Sequence, residues 1–142
     1  MRRALLDNSA WARLRSPTLV PRERRAEVAA AIEAGDIIVC LPFLLEAGYS
    51  ARSAAHHDEL LCELLSLPWV DVDERVARRA LEAQAQLARV GHHRLPPVDL
   101  LMAAIAERHE LDVLHYDADY DLIVSKTDLE FGSEWVANRG SV

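Results

Sequence analysis

The sequence has little of what a membrane span, a disulfide scaffold or a nucleotide-binding loop requires. No apolar run approaches the roughly 20 residues of a membrane-spanning helix, and the run after Arg2-Arg3 ends at Asp7, too soon for a signal peptide. The two cysteines, Cys40 and Cys62, lack CxxC spacing, so we expect buried, reduced thiols. A glycine-rich phosphate loop and a GxSxG nucleophile elbow are also missing. These absences favour a cytoplasmic protein without a membrane anchor.

An excess of basic residues is missing as well. Sixteen lysines and arginines face 23 acidic residues, which leaves a formal net charge of −7. Broad, charge-driven affinity for nucleic acid normally needs a basic surface. A nuclease remains compatible with this charge, because carboxylates that hold cations count as negative until the metal is added. Near the N-terminus a cluster of arginines predicts a solvated helix face more than a phosphate-binding patch: Arg13, Arg15, Arg22, Arg24 and Arg25.

The 142 residues fit one domain, residues 1–142, with enough chain to bury a core. Short apolar or β-branched segments predict strands at 4–6, 36–40, 69–72, 111–115 and 129–135. Segments of helical periodicity lie between them, the clearest at 21–35, 42–49, 58–67, 73–91 and from 97 onward. Such alternation predicts an α/β fold with a mostly parallel sheet.

Four acidic residues stand where predicted strands end or helices begin. Asp7 follows the first strand, Glu46 lies in the helix after the second strand, and Asp117 follows the fourth strand. Asp99 lies in the first turn of a helix that two prolines open. Taken singly, each has an ordinary explanation, such as a helix cap or a first-turn charge. Because parallel α/β sheets bind ligands beyond the carboxyl ends of their strands, we expect the fold to gather these side chains at one edge.

Gathered carboxylates need a counter-charge. Two carboxylates about 4 Å apart repel by on the order of 4 kcal/mol at an effective dielectric constant of about 20. Three or four together without compensation would offset much of the stability of a typical domain. Mg²⁺ and Mn²⁺ prefer oxygen ligands and keep waters for a substrate. Either the acidic residues are apart, or they hold a divalent cation.

Other acidic and metal-binding motifs fit less well. The segment from Asp117 imitates the start of an EF-hand loop, but Leu122 and Asp128 stand where glycine and a bidentate glutamate are needed. The pairs His56-His57 and His92-His93 lack the spaced cysteine or histidine partners of a zinc site. A phospho-receiver would need paired acids after its first strand, where this chain has one.

Four segments together resemble the motifs of PIN-domain ribonucleases, and more narrowly those of VapC toxins from bacterial toxin–antitoxin pairs. In chain order they are LLDNSAW (5–11), LPFLLEAGYSAR (41–52), RLPPVDLLMAAIA (94–106) and LDVLHYDADYDLI (111–123). The resemblance covers nearly the whole chain, and its weight comes from four motifs in order at the expected intervals. It implies a three-layer α/β/α fold and an endoribonuclease that depends on Mg²⁺ or Mn²⁺.

The resemblance also assigns site residues. It implies that Asp7, Glu46, Asp99 and Asp117 are the catalytic acids and that Asp7, Asp99, Asp117 and Asp119 are the metal ligands. Glu46 would position or help to deprotonate the water that attacks an RNA phosphate. The substrate would be a structured RNA of the tRNA or rRNA class.

Around these acids the resemblance implies supporting residues, and the chain departs from the family pattern in places. Ser9 matches a small polar position that supports the acidic cluster, and Arg94 is a candidate for contact with the RNA backbone. Asn8 stands where threonine or serine is usual, and His115 where a hydroxyl residue often precedes the last acids. Tyr120 replaces the commoner phenylalanine. The first two departures concern hydrogen bonds around the site more than the acids themselves.

Partners are implied too. VapC toxins are neutralised by a small VapB antitoxin, whose C-terminal segment would need an apolar groove. The leucine-rich stretches 43–49 and 60–67 could supply that groove, and core packing explains their leucines equally well. A homodimer and a toxin–antitoxin hetero-oligomer are further expectations. The alternative is a catalytically inactive PIN-like module that binds or scaffolds other molecules.

Overall fold

In a computed structural model, which describes residues 1–140, five strands form one sheet. They are β1 (Ala4–Leu6), β2 (Ile37–Cys40), β3 (Trp69–Val70), β4 (Asp112–His115) and β5 (Gly132–Trp135). The order across the sheet is β3-β2-β1-β4-β5, and every neighbouring pair is parallel. The predicted α/β fold with a parallel sheet is therefore confirmed, and residues 141 and 142 of the predicted domain lie outside the described part of the chain.

Seven helices flank the sheet within residues 1–140. They are α1 (Asn8–Leu14), α2 (Arg22–Glu33), α3 (Leu41–Tyr49), α4 (Ala54–Leu64), α5 (Glu74–Arg89), α6 (Pro97–Arg108) and α7 (Asp119–Lys126). None of them has the length and apolarity that crossing a membrane would take. Helices on the faces of a parallel sheet give the three layers of the predicted α/β/α fold.

The central strands are apolar throughout β1 and β2 and at Val113 and Leu114 of β4. Every residue of β1, β2 and β4 is buried, as expected for strands covered by helices on both sides. Helix boundaries follow from capping. The Asp73 side chain accepts the Val76 N–H at 3.0 Å at the start of α5, and Gly91, at φ 81°, takes the left-handed conformation just beyond its end.

Some predicted boundaries were wrong, for local reasons. Helix α4 starts at Ala54 instead of 58, because the Ser53 hydroxyl accepts the His56 N–H at 3.1 Å and caps it. Strand β5 starts at Gly132 instead of 129, because the Asp128 and Glu130 N–H groups donate to side chains instead of to a strand. Directly beyond β5, Val136 and Ala137 are buried.

The two cysteines differ, which corrects the expectation that both are buried. Cys40 is fully buried at the end of β2, whereas Cys62 is exposed on α4. Both are free thiols. The apolar leucines next to Cys62 in sequence face inward, and helical geometry turns the cysteine to the other side.

The strand order places a switch point between β1 and β4. From β1 the chain builds β2 and β3 on one side, and then returns to build β4 and β5 on the other. Helices leaving β1 and β4 therefore diverge, and a crevice opens at the carboxyl ends of these two strands. The Asp7 N–H donates to the Leu114 carbonyl at 3.0 Å, so the residue after β1 lies directly beside the end of β4.

Candidate metal centre and catalytic site

Asp7 lies at this switch point with both carboxylate oxygens hydrogen-bonded. It caps α1, because its Oδ2 accepts the Ser9 N–H at 3.0 Å and the Ser9 hydroxyl at 2.5 Å. The Ser9 Oγ in turn accepts the Tyr116 N–H at 2.8 Å, which links the segment after β1 to the segment after β4. Asp7 is only 6% exposed. The residue is thus both a helix cap and a buried acid of the cluster.

A buried tyrosine hydroxyl joins two of the acids. Tyr120 donates to Asp7 Oδ1 at 2.6 Å, and its hydroxyl lies 3.4 Å from Asp99 Oδ1. Burial, followed by the charges of Asp7 and Asp99, raises the pKa of Tyr120 well above its ordinary value. The phenol therefore keeps its proton and remains a hydrogen-bond donor between the two carboxylates.

Asp99 is a buried acid that is only partly compensated. It lies in the first turn of α6, is 8% exposed, and its Oδ2 has no hydrogen-bond partner within the described residues. Burial first, and then the charges of Asp7, Asp117 and Asp119, raise its pKa to about 8, while the Tyr120 hydroxyl lowers it. A buried carboxylate oxygen without a donor is costly unless something positive faces it.

Asp117 and Asp119 complete the group on the β4 side. Carboxylate oxygens of Asp99, Asp117 and Asp119 all lie within 4.8 Å of one another. The Asp119 N–H donates to Asp117 Oδ1 at 2.9 Å, which fixes the short turn between the two residues. Burial and the charge of Asp117 raise the pKa of Asp119. Three half-buried or buried acids thus share one small volume.

Glu46 approaches from α3. It lies in the second turn of that helix and is half-buried. Burial first, and then the negative charge of Asp7, raise its pKa. The structure therefore brings all four predicted catalytic acids, and Asp119 with them, to the same crevice, although only Asp99, Asp117 and Asp119 form the tight group of three.

The donor set suits a hard divalent cation. Its members are carboxylate oxygens, they repel one another, and Asp99 Oδ2 has no hydrogen-bond partner among residues 1–140. Oxygen ligands of this kind are those that Mg²⁺, Mn²⁺ and Ca²⁺ take in proteins, and a cation would supply the missing positive charge. The pKa shifts of Asp99 and Asp119 describe the site without that charge.

The arginines predicted as a solvated helix face have separate roles. Arg13 stacks on the Tyr116 ring, 4.3 Å from its centroid, and donates to the Ser9 carbonyl at 3.1 Å beside the acids. Arg24 is half-buried and pairs with Glu134 at 2.9 Å, so it ties α2 to β5. Arg94 is exposed between α5 and α6, with no hydrogen bond or ion pair recorded among residues 1–140.

Sequence reasoning identified Ser9 as a support of the acids, and it missed the supporting side chains on the β5 side. Asp121 lies in the first turn of α7. Its carboxylate, however, accepts the Ser133 hydroxyl at 2.6 Å and the Trp135 indole N–H at 2.9 Å. His115 is fully buried behind Asp117. No signal in the local sequence singles out Asp121, because its contact with Ser133 joins α7 to β5.

Comparison with known proteins places the chain in a family. Residues 4–125 match the PIN domain. Ribonuclease VapC18 of Mycobacterium tuberculosis is 36% identical over 140 residues, covering 96% of this chain and 97% of that protein. Ribonuclease VapC51 of the same organism is 37% identical over 138 residues, covering 97% and 96%.

Solved structures agree on the fold. DNA-bound VapBC from Salmonella typhimurium aligns with a TM-score of 0.72 at 19% identity, covering 96% of this chain and 100% of that chain. VapBC2 from Rickettsia felis aligns with a TM-score of 0.73 at 15% identity, covering 93% and 98%. The chain therefore belongs to the PIN-domain family. Within that family it belongs with the VapC ribonucleases, as the motifs in the sequence indicated.

Proposed function

We propose that the protein is a Mg²⁺- or Mn²⁺-dependent endoribonuclease and the toxin of a VapBC-type toxin–antitoxin pair. The observation that carries this proposal is the unpartnered, buried Oδ2 of Asp99 in a group of three carboxylates within 4.8 Å. Kinship with ribonucleases over nearly the full chain supports the reaction. PIN nucleases in general use divalent metal, and the acidic donor set supports the same requirement here.

In this proposal Asp99, Asp117 and Asp119 bind the cation directly. Asp7 is proposed to act from a position next to these three ligands. Its two oxygens already accept three hydrogen bonds from Ser9 and Tyr120. The chemistry that the cation supplies when bound is a lowered pKa for the attacking water and stabilisation of the charge that develops on the phosphate.

Glu46 is proposed as the residue that orients the water and accepts its proton. A carboxylate whose pKa is raised is a stronger base, and burial together with Asp7 raises the pKa of Glu46. The residue lies outside the tight group of three, so it has an oxygen available for a water. Within residues 1–140 the Glu46 side chain forms no hydrogen bond.

Arg13 and Arg94 are the proposed contacts to the RNA backbone. An acidic crevice repels phosphate, so cations at its rim are needed to hold a polyanion. Arg13 borders the site through its contacts to Ser9 and Tyr116. A structured RNA of the tRNA or rRNA class, cleaved in a loop, is the proposed substrate, because unpaired bases can reach a crevice of this kind.

The proposed antitoxin segment would bind an apolar cleft beside Glu46. The cleft measures ≈ 480 Å³, and its apolar lining is Leu41, Leu45, Tyr49, Val72, Val98 and Leu101. Leu45 is 65% exposed and Tyr49 is 90% exposed, which leaves an apolar helix face in water. Glu46 lies on the same cleft, so a bound segment that carries a basic side chain could pair with the acids. We also propose a homodimer, a toxin–antitoxin hetero-oligomer and a cytoplasmic location.

Metal-dependent cleavage of a defined RNA tests the catalytic part. We expect purified protein to cleave a structured RNA with Mg²⁺ or Mn²⁺, to stop in EDTA, and to lose activity in Asp99→Asn. Asp71→Asn is the matched control, because Asp71 is exposed and distant in sequence from the site. Cleavage that persists in EDTA, or equal cleavage by Asp99→Asn and wild type, would overturn the assignment and favour the inactive binding module.

Neutralisation by the product of an adjacent small gene tests the partner. We expect that product to co-purify with the protein and to block cleavage. Leu45→Lys should weaken both effects while RNA cleavage continues, whereas Leu81→Lys, a 67% exposed leucine on α5, should behave as wild type. Light scattering on the same samples measures the proposed dimer and hetero-oligomer. Full neutralisation of Leu45→Lys would refute the docking surface.

A further inference from the structure

A chain of side-chain hydrogen bonds runs behind the acidic site to β5 and α7. The Asp117 N–H donates to His115 Nδ1 at 3.0 Å. His115 Nε2 lies 2.7 Å from the Ser133 Oγ, and the Ser133 hydroxyl donates to Asp121 Oδ1 at 2.6 Å. The Trp135 indole N–H donates to the second oxygen of Asp121 at 2.9 Å. None of the residues beyond Asp117 belongs to the group of three carboxylates.

The donors and acceptors at the two ends determine where the histidine proton lies. A backbone N–H can only donate, so the Nδ1 that faces Asp117 carries no proton. A serine hydroxyl has a single proton, and Ser133 uses it to donate a hydrogen bond to the Asp121 carboxylate. The Ser133 oxygen is left to accept, so His115 donates from Nε2. The ring is therefore the neutral imidazole with its proton on Nε2.

Packing holds this ring in one orientation. His115 is 0% exposed. Its ring centroid lies 4.7 Å from that of Tyr120 and 5.0 Å from that of Trp135, one on the site side and one on the β5 side. A ring between two aromatic neighbours cannot turn without moving them. The chain of hydrogen bonds thus has one pattern of donors and acceptors.

The arrangement fixes Asp117 by its backbone. His115 holds the Asp117 N–H, while the Asp119 N–H holds the Asp117 carboxylate at 2.9 Å. Both hydrogen bonds constrain the turn that carries Asp117 and Asp119, two of the three proposed ligands. A site whose ligands are already in place binds a cation more tightly than one that must order them, and residues that orient ligands typically change metal affinity by roughly 10–100-fold.

We propose that His115, held as the Nε2–H tautomer by Ser133 and Asp121, is a positioning residue that sets the Asp117–Asp119 turn for the divalent cation. The inference rests on the proposed metal dependence. It goes further, because it gives β5 and Asp121 a part in the site although neither supplies a ligand. His115 acts through Asp117 and touches neither metal nor substrate.

Metal affinity of Ser133→Ala tests the inference without an activity assay. We expect its affinity for Mn²⁺, measured by calorimetry and by Mn²⁺ electron paramagnetic resonance, to fall roughly tenfold or more below wild type. Ser125→Ala is the matched control: it lies on the same helix as Asp121, and its hydroxyl donates only to the Leu122 carbonyl. Its affinity should equal that of wild type. Equal affinity of Ser133→Ala and wild type would overturn the inference and leave the proposed function intact.

The tautomer supplies a second readout, which tests the hydrogen-bond chain itself. In wild-type protein, ¹⁵N imidazole shifts should show His115 with a bare Nδ1 and a protonated Nε2. A protonated Nδ1 would overturn the inference. In Asp121→Asn an amide N–H can face Ser133, so we expect a fraction of the rings to carry the proton on Nδ1, together with weaker Mn²⁺ binding. If Ser133→Ala does not fold, the Mn²⁺ affinity of Asp121→Asn tests the inference in its place. Wild-type protein that binds no Mn²⁺ would defeat the proposed function itself, which is a distinct outcome.

Discussion

Replacing Asp99 by asparagine is expected to stabilise the metal-free protein at neutral pH. Burial and three neighbouring acids raise the pKa of Asp99 from 3.8 to about 8. The folded protein therefore binds a proton at pH 7 that the unfolded chain has released. Each pH unit of this difference corresponds to about 1.4 kcal/mol, so the penalty at pH 7 reaches roughly 4 kcal/mol as an upper bound.

The pH dependence has a definite sign. Below the unfolded pKa of 3.8 the carboxyl is protonated in both states and imposes no penalty. As the pH rises toward about 8 the unfolded chain ionises, the folded protein does not, and stability falls. Asparagine is neutral in both states, so its advantage over the wild type should be small at pH 4 and should grow up to about pH 8.

Thermal unfolding in EDTA, followed by circular dichroism at pH 5, 7 and 8, measures this difference. For a chain of this size 1 kcal/mol shifts the melting temperature by roughly 2–4 °C, so half of the upper bound is readily visible. A cation that binds only the native state stabilises that state. Added Mn²⁺ should therefore stabilise the wild type and leave the stability of Asp99→Asn nearly unchanged, because the variant lacks the Asp99 carboxylate. The reasoning is refuted if the asparagine variant is less stable at pH 7, or if its advantage is the same at pH 5 and pH 8.

Three further measurements address other parts of the fold. Tyr120→Phe removes the 2.6 Å hydrogen bond to Asp7, and bonds to charged groups contribute about 1.5–3 kcal/mol, so urea unfolding in EDTA should show a loss of that order; an unchanged stability would contradict it. Gly132→Ala would place a Cβ against the Asp112 carboxylate, so we expect a loss of about 1–3 kcal/mol that largely disappears in an Asp112→Ala background. An equal loss in both backgrounds would mean that the contact is not the cause. With a thiol reagent, exposed Cys62 should react at once, while the thiol at the end of β2, whose pKa burial raises to about 11, should react only after unfolding; two fast thiols would disprove the burial.

The layered fold could be predicted because it depends on local patterns. Buried strands read as continuous apolar segments, and all five segments predicted as strands contain one in the structure. Helix starts at Asp73 and Pro97 follow from capping and proline preferences, which are properties of a few neighbouring residues. The boundaries that failed, at α4 and β5, are those where a side chain distant in sequence or an unnoticed cap takes the backbone hydrogen bond.

The acids of the candidate site could be selected in advance, and their roles in detail could not. Strand ends and helix starts in a parallel sheet converge at one edge, so Asp7, Glu46, Asp99 and Asp117 were expected to meet. Which oxygens remain available depends on hydrogen bonds between distant parts of the chain, such as that from Tyr120 to Asp7. Those bonds leave Asp99 with an unpartnered oxygen.

The sequence by itself determined the fold class, the family and the edge of the sheet where the acids gather, because these follow from periodicity, from the alternation of strands and helices along the chain, and from short motifs. Only the tertiary structure decided how the acids are held. Asp121 reads in sequence as a charge at a helix start, yet it accepts hydrogen bonds from Ser133 and Trp135 of β5. His115 reads in sequence as a departure from the family pattern, and only the structure shows that its Nδ1 accepts the Asp117 N–H. The physical reason is that these contacts depend on the register of β4 against β5, which places His115 opposite Trp135, and no local pattern specifies a register.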